Sequence, residues 1–434
     1  MKITPVSGFP EWLPEQRRLE QKIIDQFKAQ FELFGFLPIE TRAIEPLDVL
    51  SSKGDDKEIY VLRRLHAAED DKDDRFGLHF DLTVPFARYV QEHESKLVFP
   101  FKRYQIQKVW RGERKQEGRY REFYQCDLDV IGKDSLPIHF DAELPHLILT
   151  ALKSIDLPPI TFKLSHRKIL EGFYQGLGIV ETAPVLRIID KLAKIGRDAV
   201  AQALQEEVGL TSDAIIKCLA LAHIQCADTS FVQAVEALGV SHPLLSQGLS
   251  ELAEVMETLM GLSVTEAMID LSIARGLDYY TGTVYETFLT DYPGLGSICS
   301  GGRYENLAKG GRNNLPGVGI SIGLTRLLGY LFKSEALTAL APAVKVMVIL
   351  SDAQSRIPAL RVADALRARG IGADVYHQAQ SFGKQMKAAE KRGIPYVWFV
   401  EDGLVGSVKE LATGEQVSAD ASQWVPFTAH NVGG

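Results

Sequence analysis

The stretch that most constrains this chain is residues 99–132, FPFKRYQIQKVWRGERKQEGRYREFYQCDLDVIG. At a period of two it reads as a pair of strands joined by a basic loop. In the first strand Tyr104, Ile106 and Trp110 share a mostly apolar face, and Gln105, Gln107 and Arg111 share the other. In the second, Tyr124, Cys126, Leu128 and Val130 point one way, and Phe123, Gln125, Asp127 and Asp129 point the other. A half-buried hairpin with a wet polar face would alternate in the same way. Solvated strand faces, however, usually carry Lys, Glu and Thr. This one carries short acids, amide and an arginine, which suit fixed hydrogen bonds. The joining loop also gathers Arg114, Lys115, Arg119 and Arg121 in a chain of net charge −8. Two readings stand here, a wetted hairpin and a floor that holds a zwitterion beside a polyphosphate. The residue types favour the floor.

At 434 residues the chain exceeds one typical core, so two or three domains are expected. Net charge −8 excludes a uniformly basic surface, and any nucleic-acid partner must meet local patches. Cys126, Cys218, Cys226 and Cys299 match no zinc spacing, which fits free thiols in a reducing compartment. The N-terminus has no cationic start followed by an apolar run, and no stretch approaches ~18 uninterrupted apolar residues. A cytoplasmic protein without a membrane segment is expected.

Taken in order, the chain begins with a helix from Pro14, in which Leu19, Ile23, Phe27, Phe31 and Phe34 recur at three- and four-residue steps up to Gly35. A strand is predicted from Pro38 to Glu45, closing at Pro46. Residues 55–74 read as a strand, IYVLRRL, between charged, exposed turns. In 78–89, LHFDLTVPFARY, Asp81 and Thr83 are predicted on one strand face, with Pro85 opening the next element. If buried, Asp81 must meet a cation, either protein side chain or ligand amine. Residues 141–155 form a helix whose Pro145 suits only its first turn. From Lys163 to Gly178, and again from Ile188 to about Gly261, the pattern is helical. Residues of about 166–262 therefore read as a helical insertion that splits a sheet domain.

Strands return in residues 268–285, which run into RGLDYYTGTVYETF. There Gly276 and Gly282 permit close approach of backbone or ligand. In GVGISIGLTRLLGYLF a strand with Gly317 and Gly319 leads into a helix that buries Leu324, Leu327, Leu328 and Leu331. Arg326 lies in the first turn, where a cation opposes the helix dipole. An anion or a π-face to meet would explain it, and so would plain exposure. Residues 334–342 are a linker, and 343–434 alternate β-α-β-α-β as a separate small α/β domain.

Together these stretches resemble the class II aminoacyl-tRNA synthetases, and within them the histidyl-tRNA synthetase family. The helix, strand and Pro46 resemble the first class motif. Arg111-Gly112-Glu113 with Arg121-Glu122-Phe123 resembles the second, and Gly317 through Gly323 to Arg326 the third. RGLDYYTGTVYE, with Asp81-Leu82-Thr83 and FYQCDLD at 123–129, marks the histidyl family. Two stretches depart from its usual pattern. VSGFPEWLP stands where many members have an Arg-Gly-Thr-x-Asp segment, and His79-Phe80-Asp81-Leu82-Thr83 stands for Arg-Pro-Glu-Gly-Thr.

The resemblance implies an α+β fold, a mostly antiparallel sheet flanked by helices, with a catalytic domain at 1–333 and an anticodon-binding domain at 343–434. It implies that L-histidine attacks the α-phosphate of ATP, with Mg²⁺ on the phosphates, and that the histidyl group then passes to the 3′ end of tRNA. By similarity Arg111 and Arg275 are catalytic. Glu113, Phe123, Arg326 and Arg121, with Arg119 beside it, take the nucleotide. Asp129 and Tyr280 read the imidazole, while Asp81, Leu82, Thr83 and Gln125 hold the amino acid with Tyr279 nearby. A homodimer is implied; a membrane or DNA partner is not. Absence of GxGxxG and Walker patterns agrees with a fold that is not a Rossmann sheet. Three alternatives share parts of the pattern: a catalytically inactive regulatory subunit of ATP phosphoribosyltransferase, a tRNA-binding protein without activity, and a synthetase for another amino acid such as glycine or proline.

Overall fold

The computed structural model describes residues 4–51, 58–66, 75–114, 118–274, 280–305, 313–333 and 342–426. The chain forms two compact units, Met1–Leu337 and Thr338–Gly434.

The first unit opens with α1 (Pro14–Leu33), whose Leu19, Ile23, Phe27 and Phe31 are buried. Pro14 occupies the first helical position, where a missing N–H costs nothing. Phe34 lies past the last turn, and Gly35 reverses the chain at φ 79°. The single strand predicted from Pro38 to Glu45 is two strands, β1 (Leu37–Pro38) and β2 (Ile44–Pro46). They belong to different sheets, and a proline at the end of each leaves no donor to extend the ladder. After α2 (Leu47–Leu50), β3 (Val61–Leu62) and β4 (Phe76–Leu78) complete a three-stranded sheet with β2. Much of the charged 55–74 segment lies outside the described residues.

Asp81 and Thr83 do not share a strand face. The strand stops at Leu78, and Thr83 begins α3 (Thr83–His93). Asp81 Oδ1 accepts the backbone N–H of Val84 at 3.0 Å, a contact that suits an acid beside a helix N-terminus. Pro85 falls in the helix's first turn. The helix leads to β5 (Phe101–Trp110) and β6 (Glu122–Ile131), the predicted strand pair, and then to α4 (Phe140–Lys153).

Next comes β7 (Ile160–His166), so the helical reading from Lys163 is displaced by four residues. Phe162 and Leu164 are fully buried with Lys163 between them, a two-residue period that only a strand satisfies. The helices α5 (Arg167–Gly176), α6 (Thr182–Ile189), α7 (Leu192–Ile195), α8 (Arg197–Val208) and α9 (Ser212–Ala222) follow. Then come β8 (Gln225–Cys226), α10 (Phe231–Glu236), α11 (Pro243–Gly261) and β9 (Ala267–Asp270), which pairs parallel with β7. The first unit closes with β10 (Thr283–Leu289), β11 (Cys299–Tyr304), β12 (Gly317–Ile322) and α12 (Leu324–Leu331).

Among the described residues nine strands form the main sheet, in the order β1-β5-β6-β12-β11-β10-β7-β9-β8. β1–β5 and β7–β9 pair in parallel, and β8–β9, β7–β10, β10–β11, β11–β12, β12–β6 and β5–β6 pair antiparallel. The central strands β6, β12, β11 and β10 come from distant parts of the sequence and carry the candidate site.

The second unit contains β13 (Val346–Ile349), α13 (Arg356–Ala368), β14 (Ala373–Val375) and α14 (Phe382–Lys391). They are followed by β15 (Tyr396–Asp402), β16 (Val405–Glu410) and β17 (Gln416–Asp420). Its sheet has the order β14-β13-β15-β16-β17 and adds two antiparallel strands to the expected β-α-β-α-β run. Both faces are covered by apolar side chains, with Val348, Val362, Leu366 and Trp398 on one and Met347, Val397 and Ala389 on the other.

Candidate active site

The ladder between β5 and β6 sets Arg103 opposite Asp129, Gln105 opposite Asp127 and Gln107 opposite Gln125. These residues occupy one face, as the two-residue period requires. Gln107 and Gln125 are half-buried, and the other end of that face is not wet. Arg103 and Gln105 are fully buried, and Asp127 and Asp129 are each 4% exposed. The Arg103 guanidinium stacks 4.0 Å over the Phe86 ring and its Nη2 lies 2.6 Å from Asp129 Oδ2. Tyr304 donates its hydroxyl to Asp129 Oδ1 at 3.0 Å. Asp129 is thus held from two sides in one orientation.

The glycines of β12 have a steric purpose here. Gly319 lies opposite Asp129 in the ladder, and a Cβ at 319 would fall 2.1 Å from Asp129 Oδ1. On β11 a Cβ at Gly302 would fall 2.8 Å from the Tyr280 ring. The Asp129 carboxylate and the Tyr280 phenol keep their places only with both positions bare. Below β10 and β11, Arg303 donates from Nε and Nη2 to the Asp141 carboxylate of α4, and Thr283 donates to it at 2.7 Å. This buried pair fixes the strands that carry the site.

Gln125, Ser321 and Asp127 form a directed chain. Gln125 Nε2 donates to Ser321 Oγ at 2.9 Å, and Ser321 donates to Asp127 Oδ1 at 2.5 Å. Burial pushes the Asp127 carboxyl up to about 7; Arg103 and the Ser321 hydroxyl pull down, and Asp129 and Asp81 push up. A narrow cavity is lined by Thr83, Asp127, Asp129, Tyr280, Tyr304 and Ser321. Leu82 is fully buried beside Asp81, which is 7% exposed.

A wider cavity of about 180 Å³ adjoins it, lined by Arg111, Glu113, Phe123, Gln125, Ser321 and Arg326 among others. Arg111 donates from Nε to the Phe80 carbonyl at 2.9 Å, and its guanidinium carbon lies 5.2 Å from the Phe123 ring centre. Arg326 is not simply exposed: Nε donates to the Gly118 carbonyl at 3.1 Å and Nη1 donates to Ser297. Burial, and repulsion from Arg119 and Arg111, lower its pKa, with Glu113 opposing. Arg121 donates from Nε to the Glu113 backbone carbonyl at 3.0 Å, and Arg119 pairs with the Glu113 carboxylate at 3.3 Å.

The structure therefore brings together Arg111, Glu113, Phe123 and Arg326 around one cavity and Thr83, Asp129 and Tyr280 around the other. Gln125 belongs to the first cavity, and Ser321 lines both. Arg275 and Tyr279 lie outside the described residues. Arg103, Ser321 and Tyr304 were not singled out in the sequence, and Asp127 was placed on the face without a role. Strand parity extended to β5 would have found Arg103; nothing local marks Ser321 or Tyr304, which arrive from distant strands.

A family model for histidyl-tRNA synthetase matches residues 8–327. The chain belongs to the histidyl-tRNA synthetase family. A second family model, an anticodon binding domain, matches residues 345–428. The histidine--tRNA ligase of Thermobifida fusca is 55% identical over 98% of each chain. The crystal structure of histidyl-tRNA synthetase from Nostoc sp. PCC 7120 superposes with a TM-score of 0.87 at 36% identity, covering 97% of each chain. A Bacillus halodurans structure described as an ATP phosphoribosyltransferase regulatory subunit/histidyl-tRNA synthetase has a TM-score of 0.75 at 21% identity, covering 92% of this chain and 98% of its own, a likeness of fold alone. The histidyl-tRNA synthetase family is a class II family, and the central antiparallel sheet here has that architecture. Among the described residues no group of three or more His, Cys, Asp or Glu side chains forms a metal cage, and no helix is long and apolar enough to cross a membrane.

Proposed function

We propose that this chain activates L-histidine with ATP, forming histidyl-adenylate and pyrophosphate, and transfers the histidyl group to the terminal 3′-hydroxyl of its cognate tRNA. The observation that carries this reading is the shared wall of the two cavities. Ser321 lines both, so an amino acid gripped at Asp129 lies next to the arginine-lined space. In the first step the histidine carboxylate attacks the α-phosphorus and pyrophosphate leaves. Anion attacking anion needs fixed positive charge, and arginine supplies two donors in a fork that stays protonated. Arg111 takes the α-phosphate and carboxylate, and Arg275 the charge developing at phosphorus. Phe123 and Arg326 enclose the adenine, Glu113 accepts from its amino group, and Arg121 with Arg119 meets the outer phosphates or the tRNA end.

Asp129 and Tyr280 read the imidazole, and Asp81, Leu82, Thr83 and Gln125 form the amino-acid side, with Tyr279 nearby. Buried polar groups that match both ring nitrogens reject apolar isosteres, which would leave them unpaired. Mg²⁺ comes with the nucleotide. The wider cavity lines one carboxylate, Glu113, among its described residues, which fits a hard cation held mainly by phosphates and water. When bound, it neutralises phosphate charge. Residues 1–333 form the catalytic domain, its helical insertion about 166–262, and after a 334–342 linker residues 343–434 bind the anticodon. The protein acts in the cytoplasm as a homodimer.

ATP–pyrophosphate exchange across all amino acids tests this. Exchange with histidine alone is expected; no exchange, or exchange with a different amino acid, removes the reading. Arg275→Ala is expected to abolish adenylate formation with little change in melting temperature. Near-normal single-turnover activation in that variant would end the role given to Arg275.

A further inference from the structure

The N-terminal stretch 6–14, VSGFPEWLP, has no part in the proposed chemistry, yet it lies against the loop that carries much of it. Gly8 turns the chain at φ 87°, and its carbonyl oxygen accepts the backbone N–H groups of Arg121 and Glu122 at 2.8 and 3.1 Å. The Arg111 N–H in turn donates to the Arg121 carbonyl at 2.9 Å. A Cβ at position 8 would stand 2.8 Å from Arg121 Cγ, so a larger residue there pushes on that side chain. Phe9 meets the Tyr60 ring at 6.2 Å, and nearby Glu58 accepts the Gly112 N–H at 2.9 Å. Trp12 packs edge-on against Phe332 at 4.9 Å and against Tyr120 at 6.2 Å. Residues 8–12 thus bear on both arms of the loop between β5 and β6, and on the end of α12.

The loop needs such a hold because its cations repel one another. Arg111, Arg119 and Arg326 line the wider cavity together, and the first two oppose the charge on the third. One tie between loop and helix is polar, the bond from Arg326 Nε to the Gly118 carbonyl at 3.1 Å. Tyr120 lies across α12, where a Cβ at Gly329 would come within 3.3 Å of its hydroxyl oxygen. Residues 4–12 contain no Lys, Arg or His, so they offer a phosphate no positive side chain. We infer that Trp12 and Gly8 are positioning residues for ATP, holding residues 118–121 against α12 so that Arg119 and Arg326 face the nucleotide. This rests on the reading of the wider cavity as the ATP site.

Trp12 supplies ring contacts that do not depend on the charge of the loop, and Gly8 fixes the backbone where the loop enters β6. Among the described residues, none of 4–12 lines either cavity. The effect of Trp12 therefore passes through Tyr120 and Phe332, and that of Gly8 through Arg121. Tyr120 and Arg119 line the wider cavity and not the narrow one, so loss of the strap falls on ATP and spares histidine.

The test uses the full-length protein in pyrophosphate exchange, with KM measured for ATP and for histidine and melting temperature followed alongside. In Trp12→Ala the ATP KM is expected to rise by about tenfold, the order of a lost aromatic pair. The histidine KM should stay within about threefold, because uniform binding is lost for one substrate only. Trp12→Phe, which keeps a ring between Tyr120 and Phe332, should bring the ATP KM back to within about threefold of wild type. Gly8→Ala, which leaves Trp12 in place and displaces the Arg121 stem, should also raise the ATP KM and spare histidine. An unchanged ATP KM in Trp12→Ala, equal losses for both substrates, or Trp12→Phe no better than Trp12→Ala overturns the assignment. Should Trp12→Ala fail to fold, Gly8→Ala decides by the same split between substrates. If the wild type itself shows no histidine-dependent exchange, the proposed function fails first, which separates the two outcomes.

Discussion

A methyl group at position 319 would stand 2.1 Å from the oxygen of Asp129 that Tyr304 reaches with its hydroxyl. No rotamer adjustment elsewhere relieves this, because Asp129 is also pinned by Arg103. Gly319→Ala is therefore expected to misplace the carboxylate and lower kcat/KM for histidine by about a hundredfold, the usual penalty for roughly 1 Å of misplacement at a reacting centre. ATP affinity should hold, since Gly319 does not line the wider cavity. Steady-state exchange kinetics with each substrate varied in turn would check this; equal losses for both substrates would mean a general collapse of the sheet. The same reasoning explains why Gly317 and Gly319 were legible as a spacing but not as a purpose. Their partners, Tyr304 and Asp129, lie on the strands to either side.

Between β7 and β9, α11 is tied to the end of β7 and to α5 through the side chains at positions 166 and 168. Lys168 Nζ lies 2.6 and 2.9 Å from the two carboxylate oxygens of Glu251 on α11, and the His166 Nε2 lies 3.1 Å from Glu251. Burial alone would raise the Glu251 carboxyl, but bonds from His166 and Lys168 bring it to about 2. A depressed carboxyl contributes stability above its ordinary value and loses it as pH falls through the folded one. Attachment of α11 to α5 should weaken between about pH 4.5 and about 2. Hydrogen exchange in 167–176 and 243–261 should report the loss in wild type, with Glu251→Gln insensitive over that window. At neutral pH the variant should be less stable by on the order of 1–2 kcal/mol. Identical acid profiles for the two proteins would count against the pair.

Each of the two units has its own buried core, with Phe86, Phe101, Ile131 and Tyr304 in the first and Val348, Leu366 and Trp398 in the second. Units with separate cores fold separately by default. Removing 343–434 is therefore expected to leave histidine-dependent exchange within about threefold while tRNA charging falls by about a hundredfold or more, since the lost unit contributes binding to a remote part of the substrate. Parallel measurement of exchange and charging decides it. Equal damage to both steps would argue against a tRNA-docking role for the C-terminal unit.

The sequence alone determined the local geometry: a two-residue period set which side chains of β5 and β6 share a face, and a three-to-four-residue period set the buried stripe of α1. It also carried the family, because short arginine and glycine motifs recur in order along the whole chain. It erred where a neighbour overrode propensity. Residues 81–83 resembled a strand but start a helix that Asp81 orders, and Lys163 sits in a strand because β9 and β10 lie on either side of it. What only the tertiary structure decided was which distant residues complete the site. Arg103 pairs with its cross-strand neighbour, but Ser321 and Tyr304 meet Asp127 and Asp129 across 194 and 175 residues. Such contacts depend on strand order in a sheet, a property that no local period encodes.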